Sequence, residues 1–185
     1  MKITGDWLQA AETQKLFQVF EAEGVQLFFV GGCVRNALIG AAVADLDLCS
    51  AATPDEVTRI AGTAGLKVIP TGIEHGTVTV LVQGTPFEIT TFRSDVETDG
   101  RHATVAFSKD IHEDAARRDF TMNALYADAA GEVIDPLGSG IADALARRLR
   151  FVGEPAARIA EDYLRILRYF RFSAWYADPD HGPDP

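Results

Sequence analysis

The chain has 185 residues, 47% of them hydrophobic and 24% charged, the make-up of a soluble globular protein with room for one domain, or one domain and part of another. Its net charge of −10 speaks against nucleic acid binding over the surface as a whole, because phosphate contacts need clustered Lys and Arg. No signal-peptide pattern is present and no apolar run reaches the ~18 residues that span a membrane, and Cys33 and Cys49 lack metal-site spacing, so they read as reduced, buried thiols of a cytoplasmic protein.

Trp7 to Glu23 carries apolar residues at Leu8, Leu16, Val19 and Phe20, a spacing that predicts one helix, capped by Thr4 or Asp6 and ended by Gly24. Val25 to Val30 predicts the first strand. It ends in Gly31-Gly32, and a short helical pattern with Arg35 near its start follows. The glycines allow a ligand to approach the backbone, and a helix start offers free N–H groups to phosphate.

A second apolar strand carries Asp45 and Asp47. Alternation points both carboxylates one way and Leu46 and Leu48 the other, into a core. Two neighbouring carboxylates repel each other unless a hard cation such as Mg²⁺ joins them. A Gly-Gly turn alone is only a tight turn, and Asp-x-Asp alone is only a solvated strand edge. Together, with Arg35 between them, they point to a metal–nucleoside triphosphate site.

Thr53-Pro54 predicts the capped start of a helix running to about Ala64, punctuated by Gly65. Lys67–Ile69, Gly76–Val82 and Pro86–Phe92 predict three strands, with Gln83-Gly84 as a hairpin turn. His75, beside Gly76, reads as a turn or packing residue. Glu88 is either a sheet-face carboxylate or, if its strand neighbours the Asp45–Asp47 strand, a third acidic group at the site.

Arg93 to His112 is polar and unpatterned, which predicts a long loop, functional or disordered. Within Asp114 to Leu125, the run Arg117-Arg118-Asp119 has the look of a solvated helix face. Val133 to Pro136 predicts a short strand and turn, and Gly138 to Arg147 a loop leading into a short helix.

From Arg147 to Arg171 seven Arg (147, 148, 150, 158, 165, 168 and 171) face Glu154, Glu161 and Asp162, a basic segment compatible with a polyanion. Glu154 to Tyr176 predicts one helix. Asp162, Arg165, Arg168 and Arg171 recur every three residues on it. Each step turns about −60°, so the row winds half way round as a slanting ridge, and Asp162 with Arg165 forms a candidate pair. Asp178 to Pro185 reads as unordered, and the unpartnered aromatic residues of the last helix predict that the natural chain continues.

GGCVRN, DLDL, FEITTFR, RRDFTMNAL and EDYLRILRYFRF, in that order over residues 25 to 173, resemble the motifs of class II CCA-adding tRNA nucleotidyltransferases, close relatives of bacterial poly(A) polymerases. The resemblance implies an α+β fold: a polymerase-β-type nucleotidyltransferase head at residues 1–140, a mixed sheet flanked by helices. The first helices of an all-α neck follow at 141–185, with tRNA-holding body and tail domains beyond. It implies Gly31, Gly32, Arg35 and Arg118 as nucleotide ligands, and Asp45 and Asp47 as catalytic Mg²⁺ ligands beside Glu88. Asp162 and Arg165 are implied as the base-reading pair, and Arg168 and Arg171 as nucleotide contacts or braces between head and neck. Asn36 departs from the family's usual Asp, which implies an altered orientation of Arg35 rather than loss of activity.

The implied reaction is two-metal transfer of CMP and AMP from CTP and ATP to the tRNA 3′ end. Ionised Asp162 only accepts and Arg165 only donates. Cytosine and adenine each present an amino donor beside a ring-nitrogen acceptor, whereas uracil and guanine present the reverse, so one pair accepts CTP and ATP and rejects the others. The alternatives are a poly(A) polymerase acting on RNA 3′ ends and a non-catalytic nucleotide- or RNA-binding module. The second has no need of both Asp45 and Asp47.

Overall fold

The computed structural model describes residues 1–99 and 102–180. Helices α1 (Asp6–Gln9) and α2 (Ala11–Ala22) lead to strand β1 (Leu27–Val30), helix α3 (Gly32–Ile39), strand β2 (Asp47–Ser50) and helix α4 (Pro54–Thr63). Strands β3 (Lys67–Gly72), β4 (Thr77–Val82), β5 (Thr85–Thr91), β6 (Arg93–Asp99) and β7 (His102–Phe107) follow. Then come α5 (Ile111–Ala116), β8 (Tyr126–Ala127), β9 (Val133–Ile134), α6 (Gly140–Leu145), α7 (Pro155–Glu161) and α8 (Leu164–Tyr176).

The main sheet has the order β3-β4-β5-β2-β1-β8-β9. It is mixed: β2 and β5 run parallel, with Asp47 opposite Glu88 and Leu48 opposite Ile89, and the other pairings are antiparallel. The parallel pair is reached through α4 and the β3–β4 strands, the long crossover that parallel strands require.

Alternation along the strands divides the apolar residues between two faces. Leu27 and Phe29 of β1, Leu48 of β2 and Phe87 and Ile89 of β5 face α2, α3 and α4, packing with Leu16, Phe20, Val34, Val57 and Ile60. The opposite face is smaller: Val30, Cys49, Phe92, Ala115, Ala124 and Tyr126. Asp47 shares this second face with Cys49, two residues on, and Glu88 shares it with Phe92, four residues on. Topology therefore delivers both carboxylates to the less covered side of the sheet.

Local signals act as the sequence implies at several places. Thr53 and Glu56 form a reciprocal capping box at α4, with Pro54 in its first turn. Gln83 (φ 52°) and Gly84 (φ 90°) make the two-residue turn between β4 and β5, both in the left-handed region that matches hairpin twist. Cys33 and Cys49 are free and buried.

Four expectations are corrected. The helix expected over Trp7–Glu23 breaks at Ala10 (φ −57°, ψ 139°), because Thr13 Oγ1 and Gln14 Nε2 take the carbonyls of Trp7 and Leu8 at 2.8 Å each. Most of the expected loop from Arg93 to His112 is instead the antiparallel pair β6–β7, and residues 100 and 101 lie outside the described residues. The single helix expected over Glu154–Tyr176 is two helices parted at Asp162 (φ −153°, ψ 106°), whose carboxylate accepts from the Leu164 N–H at 3.0 Å. A side-chain acceptor for a backbone N–H is the device that starts helices, and here it interrupts one. Asp45 precedes β2 rather than lying in it, and β8 was not anticipated. The expected disorder of the last residues falls largely on 181–185, outside the described residues.

Candidate active site

The site begins where β1 ends. Gly31 has φ 72° and ψ −115°, a backbone state that side chains other than hydrogen disfavour, and it turns the chain directly into α3. No side chain caps α3 among the described residues, so the N–H groups of its first turn face outward as a partial positive charge. A Cβ on Gly31 would lie 3.6 Å from Arg118 Nη1, which places that guanidinium at the turn.

Arg118 is held there from behind. Its Nε and Nη2 donate to Asp114 Oδ2 at 3.1 and 2.8 Å, and its Nε also meets the Tyr126 hydroxyl at 3.1 Å. Tyr126 in turn donates to Asp114 Oδ2 at 2.8 Å. Burial works against the charge on both partners, yet Arg118 and the hydrogen bonds hold Asp114 below the usual carboxylate range, and the Tyr126 and Asp114 side chains hold Arg118 firmly charged. The solvated helix face expected for Arg117-Arg118-Asp119 is corrected: Asp119 is buried, and Arg118 is fixed by a fully buried carboxylate.

The acidic side of the site is Asp47 with Asp45 and Glu88. Partial burial raises the Asp47 pKa, the charges of Glu88 and Asp45 raise it further, and Arg118 pulls it back. Cys33 in the first turn of α3 has its sulfur 3.9 Å from the Asp47 carbonyl oxygen, which joins this strand to the glycine turn. Among the described residues, no three His, Cys, Asp or Glu side chains converge closely enough to enclose a metal ion. A lone carboxylate pair nevertheless suits Mg²⁺, which commonly takes one or two carboxylates and completes its shell with water and phosphate oxygens.

Arg35 lies on the other flank, buried under the end of α8. Its guanidinium stacks 3.9 Å from the centre of the Tyr176 ring and 5.2 Å from that of Phe172. Its Nε and Nη2 donate to Asn36 Oδ1 at 3.1 and 2.9 Å, and its Nη1 donates to Asn123 Oδ1. Burial lowers its pKa, although Tyr176 and Asp119 favour the charge.

The residues of α7 and α8 divide. Arg168 donates from Nε (2.7 Å) and approaches with Nη2 (2.5 Å) the buried Asp119 Oδ2, so it braces α8 against the segment that carries Arg118. Arg171 is exposed, with its guanidinium 5.3 Å from the Phe172 ring. Asp162 and Arg165 do not bond each other in this structure. Arg165 instead bonds Glu161 Oε2 at 2.6 Å and the Arg158 carbonyl at 2.7 Å, because one turn back along the chain is within reach and the break at Asp162 turns that carboxylate to Leu164.

Sequence reasoning passed over Asp114, Asp119, Asn123, Tyr126 and Tyr176. Asp119 and Asn123 lie inside the quoted RRDFTMNAL motif and are visible there, whereas nothing local marks Tyr126 or Tyr176. A groove of about 1020 Å³ at the other end of β1, lined by Phe28, Phe92, Lys109 and His112 among others, contains none of the candidate residues.

Residues 27–150 match the family described as the poly A polymerase head domain. The chain is 42% identical to human mitochondrial CCA tRNA nucleotidyltransferase 1 over 96% of its own length and 43% of the relative's. Its fold superimposes on the crystal structure of the Bacillus stearothermophilus CCA-adding enzyme in complex with CTP with a TM-score of 0.79 and 37% identity, covering 91% of this chain and 40% of that one. It also matches a tRNA nucleotidyltransferase complexed with a primer tRNA and an incoming ATP analog, with a TM-score of 0.67 and 29% identity over 85% of this chain and 44% of the other. The chain thus spans about two-fifths of the length of these relatives.

Proposed function

The chain belongs to the poly A polymerase head-domain family, and from that premise we propose that it is the head, with the start of the neck, of an enzyme that adds CMP and AMP from CTP and ATP to tRNA 3′ ends. One observation carries the reading: the uncapped start of α3, the fixed Arg118 and the carboxylates of Asp47 and Glu88 meet at one end of one sheet face. The names of the relatives, and the CTP, ATP analog and tRNA bound to two of them, support it. The head takes residues 1–140 and the neck begins at 141.

In this reading Arg35, Arg118 and the first-turn amides of α3 receive the triphosphate, and Gly31 and Gly32 let it approach the backbone. Asp45 and Asp47 would hold Mg²⁺, which when bound supplies positive charge at the reacting phosphate and lowers the pKa of the attacking 3′-hydroxyl. Glu88 adds to the negative charge that favours the cation. Arg165 exchanges Glu161 for the base, and Asp162 exchanges the Leu164 N–H for the amino group that cytosine and adenine share. Arg168 keeps α8 seated through Asp119, and the exposed Arg171 is left to the polyanion.

Among the described residues no helix is long and apolar enough to cross a membrane. A cytoplasmic site suits the two free thiols, while the human relative's name places another member in mitochondria.

Calorimetric titration with each nucleotide, with and without Mg²⁺, tests the site. Mg²⁺-dependent binding of CTP and ATP with rejection of UTP is expected. Equal binding of UTP would refute base reading by Asp162 and Arg165, and metal-independent binding would refute the role of Asp45 and Asp47.

A further inference from the structure

Two asparagines join the parts of this site in a way that charged residues could not. Arg35 donates to Asn36 Oδ1, and Asn36 Nδ2 donates to the Ala42 carbonyl at 2.7 Å, in the loop that leads to Asp45. On the other side Arg35 donates to Asn123 Oδ1, and Asn123 Nδ2 donates to Asp119 Oδ1 at 3.1 Å. Asp119 closes the chain by accepting from Arg168 on α8. A guanidinium only donates, and a carbonyl or carboxylate only accepts. Each asparagine must therefore accept on its Arg35 side and donate on the other, which fixes both amide orientations. An aspartate in either place would lose the donor.

Resting on the reading of Arg35 as a phosphate ligand and Asp45 as a metal ligand, we propose that Asn36 and Asn123 are positioning residues that couple α8 to the metal loop through Arg35. The relay runs unbroken from Arg168 through Asp119, Asn123, Arg35 and Asn36 to Ala42, three residues before Asp45. The backbone of Asn36 adds to the hold, since its carbonyl accepts the N–H groups of Gly40 and Ala41, the latter at 2.9 Å. The side-chain donor supplies the one bond in this set that reaches further, to Ala42. Seating of α8 over a nucleotide and placement of Asp45 for its metal then favour each other, a coupling between two sites through a shared element.

The test titrates CTP into the protein across a series of Mg²⁺ concentrations for the parent, Asn36→Ala and Asn36→Asp, with thermal unfolding alongside. Both variants lack the donor to Ala42, and the aspartate keeps an acceptor for Arg35. The relay requires both to raise the Mg²⁺ concentration at half-maximal binding, roughly 2- to 10-fold, the worth of one neutral hydrogen bond. Negative charge alone would attract Mg²⁺ and lower that midpoint, so a rise in Asn36→Asp reports the lost donor. Asn123→Ala raises it as well, and the double variant Asn36→Ala/Asn123→Ala raises it by less than the product of the singles, because a relay already cut is not cut again. A parent-like or lowered midpoint in either Asn36 variant overturns the proposal, as does a fall in Tm with the midpoint unmoved. A parent that binds no CTP under any Mg²⁺ concentration overturns the functional reading itself, and the relay's role falls with it.

Discussion

Replacing Asp47 by Asn removes a charge that the fold holds against its neighbours. Asp47 stands opposite Glu88 across the parallel β2–β5 pair, and Asp45 adds a second like charge. Its pKa is raised by burial and by these two charges. The carboxyl thus ionises later in the folded chain than in the unfolded one. It costs nothing in acid, where both states are protonated. The penalty grows as pH rises above the ordinary carboxylate value and is complete once the folded carboxyl has ionised. A like-charged cross-strand pair costs about 0.2–1 kcal/mol, and because Asp45 and Glu88 are exposed and Asp47, though partly desolvated by its neighbours, still reaches solvent, screening keeps the total at that scale. At ~2–4 °C per kcal/mol for a chain of this size, Asp47→Asn should raise Tm by about 0.4–4 °C at neutral pH and low salt, and by nothing in acid. Mg²⁺ should raise the Tm of the parent, because a cation relieves the same repulsion, and should raise that of the variant far less. Thermal unfolding in chelator and in Mg²⁺ reads both effects. A variant that is less stable than the parent at neutral pH, or that gains as much from Mg²⁺, would refute the electrostatic reasoning.

Three further outcomes are expected. Gly31→Ala meets no close contact, since the added Cβ lies 3.6 Å from its nearest neighbours, so its cost is backbone strain of about 1–3 kcal/mol at φ 72°, ψ −115°; Tm should fall further than in Gly40→Ala, whose left-handed φ 70°, ψ 22° costs about 1 kcal/mol. Arg168→Ala leaves the buried Asp119 with only the Phe120 and Asn123 donors and should cost about 1.5–3 kcal/mol in chemical denaturation, whereas Arg171→Ala, at an exposed position with no ion pair among the described residues, should cost under ~0.5 kcal/mol. Burial pushes the Cys33 thiol up to about 11 and raises the Cys49 thiol well above its ordinary value, so both should resist a thiol reagent at neutral pH until the chain is unfolded, as a colorimetric thiol assay would show.

What the sequence makes legible here is what local chemistry decides. The glycine turn into α3, the Thr53–Glu56 capping box and the Gln83-Gly84 hairpin each need only neighbouring residues, and each stands where the sequence places it. The condition on Glu88, that its strand neighbours the one carrying Asp47, is met by the sheet order, and the pairing is parallel. Long-range partners were not legible. Arg117-Arg118-Asp119 looks like a solvated run because Tyr126 of β8 and Arg168 of α8, which bury or brace it, come from other elements, while Asp114, only four residues back, shows its role only once it is buried. The β6–β7 pair lacks apolar alternation and so resembles a loop. The helix break at Asp162 is hidden because the three-residue row of Asp162, Arg165, Arg168 and Arg171 reads as one continuous helix, while one side-chain bond to Leu164 turns the carboxylate away from Arg165.

The most direct measurement takes the full-length protein, tRNA lacking its last three nucleotides, Mg²⁺ and each labelled nucleotide in turn. The account predicts addition of C, C and A, then a stop, with UTP unused and with incorporation abolished in Asp45→Ala/Asp47→Ala. Repeated addition of A to unrelated RNA would contradict it in favour of a poly(A) polymerase, and no incorporation by the parent would leave the site a nucleotide-binding module without catalysis.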